Sequence, residues 1–186
     1  MSNVRRRNRG TQSTPSGIPM TCDAFVSYTR IKDVLAPSPV SKFVERLEHH
    51  MRRQTGNILY SVFQDKTHIS PGMEWVSRIT AELNSASVLI LLLSPTWIRS
   101  SWCRTEYEIF RDNQRGIGAK RLVVPLLWDP FPPYKFLLPT AEENRILEEL
   151  RQIHHADWSK LQFDSWSSAR PNRAAAELAK SIVEQL

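Results

Sequence analysis

The sequence predicts an α/β fold of three layers, with a mostly parallel sheet of four to five strands between helices on both faces. Two observations predict it. Apolar runs of strand length alternate with stretches whose apolar residues recur at helical spacing, the pattern of strands joined by crossover helices. The run Val88–Leu93 is apolar at every position, which marks a strand buried on both faces, as in a parallel sheet. The 186 residues suffice for one domain with a sizeable core.

Residues 1–20 read as a disordered basic tail and 21–186 as the folded domain. The tail mixes Arg, Gly, Ser, Thr, Asn and Pro with few apolar groups, and such a stretch cannot bury enough surface to order itself. It also lacks the apolar segment of a secretory signal. Asp23-Ala-Phe-Val-Ser-Tyr28 is β-prone and gives the first strand. Residues 29–39 carry Pro37 and Pro39 and form a loop. Val40, Phe43, Val44, Leu47 and Met51 then recur on one helical face, and Gly56-Asn57 ends that helix. Ile58–Phe63 reads as the second strand, followed by a loop over 64–72 with a Pro71-Gly72 turn.

Trp75, Val76, Ile79 and Leu83 mark the next helix, and Val88–Leu93 the third strand, which Ser94-Pro95 ends. Residues 102–115 form a helix with Ser100 or Ser101 as N-cap, closed by Gly116 and Gly118. Leu122–Leu127 is the fourth strand. Residues 129–140 hold four prolines, which forbids a simple helix there. Residues 142–153 and 174–186 read as helices, and 154–172 leaves room for a short fifth strand. The final helical pattern has no closing glycine, as expected of a piece of something longer.

Composition excludes several classes. The longest apolar runs, Val88–Leu93 and Leu122–Trp128, fall far short of the about 20 residues that span a bilayer. The net charge of +6 is largely the tail: without Arg5, Arg6, Arg7 and Arg9 the remainder carries +2. Nucleic-acid binding is therefore disfavoured, and a solvated tail fits better. Two cysteines, Cys22 and Cys103, make no disulfide framework and fit a reducing, cytoplasmic setting, with Cys22 as a small core residue. No metal site is expected, because His49-His50 and His154-His155 are adjacent pairs that do not share one helix face. A glycine-rich phosphate loop and a nucleophile elbow are both missing.

Open parallel sheets bind ligands beyond the carboxyl ends of their strands. Segments 27–39, 64–72 and 94–106 all follow strands. The third holds Trp102 and Glu106, four apart and so on one helix face. A carboxylate near a helix start stays ionised easily, and an aromatic beside it offers a stacking surface for a flat ring. Spacing alone fits a second account equally: a glutamate that complements the helix dipole beside a core tryptophan.

Several stretches together resemble the Toll/interleukin receptor (TIR) domain family. Asp23-Ala-Phe-Val-Ser-Tyr28 is similar to its first signature box. Val62-Phe-Gln-Asp65 with Ile69-Ser-Pro-Gly72 resembles its second box and long loop. Leu92-Leu-Ser-Pro95 through Ser101-Trp-Cys-Arg-Thr-Glu106 is similar to the strand and helix start that hold the catalytic glutamate of enzymatic, often bacterial, members. The resemblance covers about residues 22–186 and implies a flavodoxin-like sheet.

By resemblance, the chain is an NAD+ nucleosidase (a glycohydrolase or ADP-ribosyl cyclase) of immune, including antiviral, defence. NAD+ is substrate and no cofactor is implied. Glu106 is then catalytic and Trp102 shapes the nicotinamide-ribose pocket. Ser27, Tyr28, Arg30, Phe63 and Asp65 contact substrate, with Arg30 toward the pyrophosphate and Asp65 toward adenosine or ribose hydroxyls. Partners implied are other TIR domains, with 64–72 completing a neighbour's site, and a further domain or sensor protein. The leaving group of NAD+ is a pyridinium that departs neutral, so the general acid of ordinary glycosidases is not needed and one carboxylate suffices. The alternative is a non-catalytic scaffold or host-mimicking effector.

Overall fold

Strand β3, Val88–Leu93, has all six residues buried because protein surrounds it on every side. It pairs in parallel with β1, Ala24–Ser27, on one edge and with β4, Leu122–Leu127, on the other. Strand β2, Val62–Gln64, adds beside β1, and the two-residue β5, Ala156–Asp157, beside β4. The sheet order is therefore β2-β1-β3-β4-β5, all parallel, the flavodoxin-like arrangement. The structure is a computed structural model that describes residues 22–29, 38–64, 73–113, 121–133 and 137–186, without the side chains of 73 and 74.

Alternation along each strand divides the core in two. Val88, Ile90 and Leu92 join one cluster with Ala24, Val26 and Val62. Leu89, Leu91 and Leu93 join the other with Phe25. The first cluster is covered by α1, Pro39–Thr55, and α6, Ala169–Gln185. Phe43, Leu47 and Met51 of α1 share it with Ala175, Ala179 and Ile182 of α6, and the small alanines let the two helices approach. Phe43 meets Trp158 edge-on, centroids 4.9 Å apart, an arrangement that aromatic quadrupoles favour. The second cluster lies under α2 (Met73–Ser85), α3 (Pro95–Arg99), α4 (Ser101–Asn113) and α5 (Ala141–Arg151).

The elements begin and end where local chemistry dictates. Ser38 caps α1 ahead of Pro39, whose fixed φ suits a first helical position. Thr140 and Glu143 form a reciprocal capping box on α5, which satisfies two helix-end amides. Gly56 ends α1 with φ +70°, a conformation that costs side-chain-bearing residues energy. Nothing lies within 4 Å of a Cβ added there. Gly56→Ala should therefore cost about 1 kcal/mol from the backbone alone, read as a lower urea midpoint with unchanged slope; an unchanged midpoint would contradict it.

Three elements differ from the sequence expectation. Ile58 and Leu59 are each 80% exposed and lie in a turn, not in the second strand. Asn57 accepts from the Leu59 amide through its side chain at 3.0 Å and from the Tyr60 amide through its backbone at 3.1 Å. That local turn outcompetes the β-prone Ile-Leu pair. The segment expected to end β3 and lead to one helix holds two, α3 and α4. Helix α6 starts at Ala169, five residues before 174, because Pro171 is tolerated in a first turn. The short fifth strand for which 154–172 left room is present, at Ala156–Asp157. The tail over 1–20 lies outside the described residues, as does nearly all of the 64–72 loop. Among the described residues no helix is long and apolar enough to cross a membrane.

Candidate active site

Ser27 ends β1 beside Leu91 of β3 and, two residues from Phe25, faces the α2–α5 layer. It is 1% exposed, and a buried hydroxyl must find partners. It has two. Its Oγ donates to Glu106 Oε2 at 2.5 Å and accepts from Trp97 Nε1 at 3.0 Å. The result is a polar chain from indole N–H through hydroxyl to carboxylate, inside a core where each bond polarises the next.

Helix α3 places Trp97. Ser94 accepts from the Trp97 amide at 3.0 Å and Pro95 occupies the first position. Ser100 is extended, which breaks the helix, and its Oγ accepts from the Cys103 amide at 3.2 Å to start α4. Spacing of three and four along α4 then turns Cys103, Glu106, Tyr107 and Phe110 inward. Glu106 is the sixth residue of α4, past its first turn, which holds no acidic residue. The dipole's reach is confined to about that turn. What fixes Glu106 is therefore Ser27, a tertiary partner, rather than the helix end.

One turn earlier, Trp102 is half-buried and packs on Trp75 of α2, ring centroids 4.5 Å apart and tilted by 40°. Its Nε1 is buried with no hydrogen-bond partner among the described residues. At the end of β2, Phe63 stacks on Phe25, centroids 5.1 Å apart, and the Arg78 guanidinium lies 5.7 Å from the Phe63 ring. Phe63, Trp75 and Trp102 all border the core that holds Glu106's neighbours. The chain leaves β1 toward β2 on one side, while β3 lies on the other. The crevice at that reversal is where open α/β sheets bind ligands. It is bridged by Thr29 Oγ1 and Thr96 Oγ1 at 2.8 Å.

The structure thus brings Ser27, Phe63, Trp102 and Glu106 to one face of the sheet. Tyr28 it does not: the next residue along β1's alternation, it packs against the α1–α6 core, its hydroxyl accepting from Gln64 Nε2 at 3.3 Å. Arg30 and Asp65 lie outside the described residues. Sequence reasoning missed Trp97 as Ser27's donor and Trp75 as Trp102's partner. Ser94-Pro95 carried a signal for the first, since a serine followed by proline is a helix start as well as a strand end.

A family model described as TIR domain matches residues 25–174. The chain is a TIR domain. Among solved structures it is similar to the TIR domain of the Toll-related receptor TRR-2 from Hydra magnipapillata, at 17% identity and a TM-score of 0.45, over 76% of this chain and 87% of that one. It is also similar to the TIR domains of the activated Roq1 resistosome recognising the pathogen effector XopQ, at 18% identity and a TM-score of 0.43, over 86% and 84%. A comparison with curated proteins gives no match.

Cys103, beside the carboxylate in this TIR domain, is no nucleophile. Burial, then the Glu106 charge, push its thiol up to about 12, so the reactive thiolate is scarce near neutral pH. Burial, then Glu82, push Cys22 to about 12 as well. Both shifts are upward, so the stability they contribute is present below the ordinary thiol value of 9.0 and is lost as pH rises from there toward about 12. Unfolding free energy should fall across that window, and less steeply in a Cys22→Ala/Cys103→Ala variant. Equal slopes would refute the assignment.

Proposed function

We propose that this TIR domain cleaves NAD+ at the nicotinamide-ribose bond. One observation carries the proposal: a glutamate at the sheet's switch point, fixed by Ser27 and flanked by the paired indoles of Trp102 and Trp75. As the C1′–N bond breaks, its electron pair passes to the pyridinium nitrogen and nicotinamide leaves neutral. Positive charge develops on the ribose, and the Glu106 carboxylate stabilises it. Water then attacks C1′ and loses a proton, giving ADP-ribose; attack by an adenine nitrogen instead gives a cyclic isomer. The tilted indoles offer the departing ring an apolar surface.

Glu106 is 5% exposed. A ribose reaches it only when flanking groups yield, and self-association through the 64–72 loop is the event assigned to that opening. Activity should then rise faster than linearly with protein concentration. The same burial favours a second reading, a binding module whose glutamate is a core anchor. Nicotinamide release from NAD+ by concentrated protein, wild type against a folded Glu106→Gln variant that can still accept from Ser27, separates the two. Loss of release in the variant supports catalysis. Equal release, or none from either, removes it.

A further inference from the structure

Residues 52–59, from the end of α1 to the turn before β2, are all exposed. At their tip Ile58 and Leu59 are each 80% exposed. A single bare aliphatic side chain is ordinary on a protein surface. Two in succession, on a turn that hydrogen bonds hold in place, call for a partner. Thr55 Oγ1 accepts from the Asn57 amide at 3.1 Å, and Asn57 accepts from the amides of Leu59 and Tyr60 at 3.0 and 3.1 Å. Arg52 Nε donates to the Tyr60 carbonyl at 2.9 Å. Tyr60 itself is buried and roots the turn in the α1–α6 core. The aliphatic pair is thus displayed in one conformation, and a surface displayed ready-made binds without a further cost of ordering.

The chain around this tip is basic. Residues 49–60 hold Arg52 and Arg53 and no acid, and residues 1–22 hold Arg5, Arg6, Arg7 and Arg9 and no acid. The second stretch joins the fold beside the turn, because the Asp23 amide donates to the Ser61 carbonyl at 3.0 Å. The acids at this end are engaged. Asp23 accepts from the Ser61 amide at 2.8 Å, and Glu48 accepts from the Val62 amide at 3.0 Å and pairs with Arg52 at 2.5 Å. Arg53 enters no hydrogen bond or ion pair among the described residues. Arginines in a last helical turn complement the helix dipole. That accounts for Arg52 and Arg53, but not for the bare Ile-Leu pair beyond them or for the four arginines before Cys22.

Aliphatic side chains flanked by cations match one surface above others. An anionic bilayer offers a hydrocarbon boundary to the first and charged headgroups to the second. A nucleic acid would use the charge but offers nothing to an aliphatic pair, since stacking on bases needs aromatic rings, which 52–59 lacks. We infer that this end of the domain docks on an anionic lipid surface, with Ile58 and Leu59 entering the interface and Arg53 and the four arginines before Cys22 facing the headgroups. The tip precedes β2, at the amino ends of the parallel strands, whereas Ser27 and the crevice beside it lie at the carboxyl end of β1. A docked domain therefore turns that crevice away from the bilayer. The inference stands whether or not Glu106 is catalytic.

Flotation of the full chain with vesicles of phosphatidylcholine and phosphatidylserine in equal parts tests it, against vesicles of phosphatidylcholine alone. The protein should float with the mixed vesicles and not with the neutral ones, and less at high salt. Ile58→Ser/Leu59→Ser should weaken binding about tenfold or more, because two aliphatic side chains lose their burial. Arg53→Glu should weaken it several-fold. All three side chains are exposed, and circular dichroism checks that the variants fold. Entry of the tip is read separately. Leu59→Cys carrying an environment-sensitive dye should brighten and shift to the blue on mixed vesicles. Cys22 and Cys103, both buried with thiols pushed up to about 12, do not compete for the label. No binding to mixed vesicles overturns the inference. So does full-strength binding by the Ile58/Leu59 variant, or a dye at position 59 that does not respond. If the chain binds duplex DNA in place of the vesicles, charge alone acts and the inference fails.

Discussion

Glu106→Gln should lower nicotinamide release by about 10²–10³-fold, the usual cost of removing one preorganised electrostatic contact to a developing charge. The substitution is chosen for what it keeps. A glutamine fills the same volume, and its amide oxygen can still accept from Ser27, which now bonds Glu106 at 2.5 Å. What it removes is the negative charge. Stability should therefore change by no more than about 1 kcal/mol, with the thermal midpoint recorded alongside the rate. Glu106→Ala, in contrast, leaves the buried Ser27 hydroxyl without its acceptor and confounds a folding defect with a catalytic one. A glutamine variant that folds normally and releases nicotinamide at the wild-type rate would end the catalytic assignment.

The fold was legible wherever burial follows the period of the element. Val88–Leu93 could be read because a central parallel strand is apolar on both faces, and α1 because one face alone is buried. Ile58-Leu59 misled because β-propensity does not distinguish a strand from an exposed turn made by Asn57. Helix α3 went unread because five residues are too few to establish a period. At the candidate site, Trp102 and Glu106 were legible because four-residue spacing fixes a shared face. The rest depends on contacts across the chain. Ser27 and Glu106 are 79 residues apart, and Ser27 and Trp97 are 70 apart. No local pattern encodes such a meeting; the parallel register of β1 and β3 creates it.

Trp97 should prove the most sensitive position for stability, and it can also tell whether the polar chain serves chemistry or only folding. It is fully buried, so Trp97→Ala removes a whole indole from the core, at about 3–5 kcal/mol including the cavity left behind. For a domain of this size each kcal/mol lowers the midpoint by about 2–4 °C, so a fall of roughly 10 °C is expected by scanning calorimetry. Trp97→Phe separates the two roles. It keeps a buried ring but no N–H, so Ser27 loses the donor now 3.0 Å away, at about 1 kcal/mol. Ser27 keeps its bond to Glu106 but loses the donor that orients it, and the Glu106 carboxylate is held by one constraint fewer. If the chain orients the carboxylate for the transition state, kcat falls while KM stays, because ground-state binding is untouched. The loss should also shrink in a Ser27→Ala background, where the intermediary is already gone. If Trp97→Phe lowers the midpoint but leaves kcat at the wild-type value, the chain is a structural bond and Glu106 keeps its position without it.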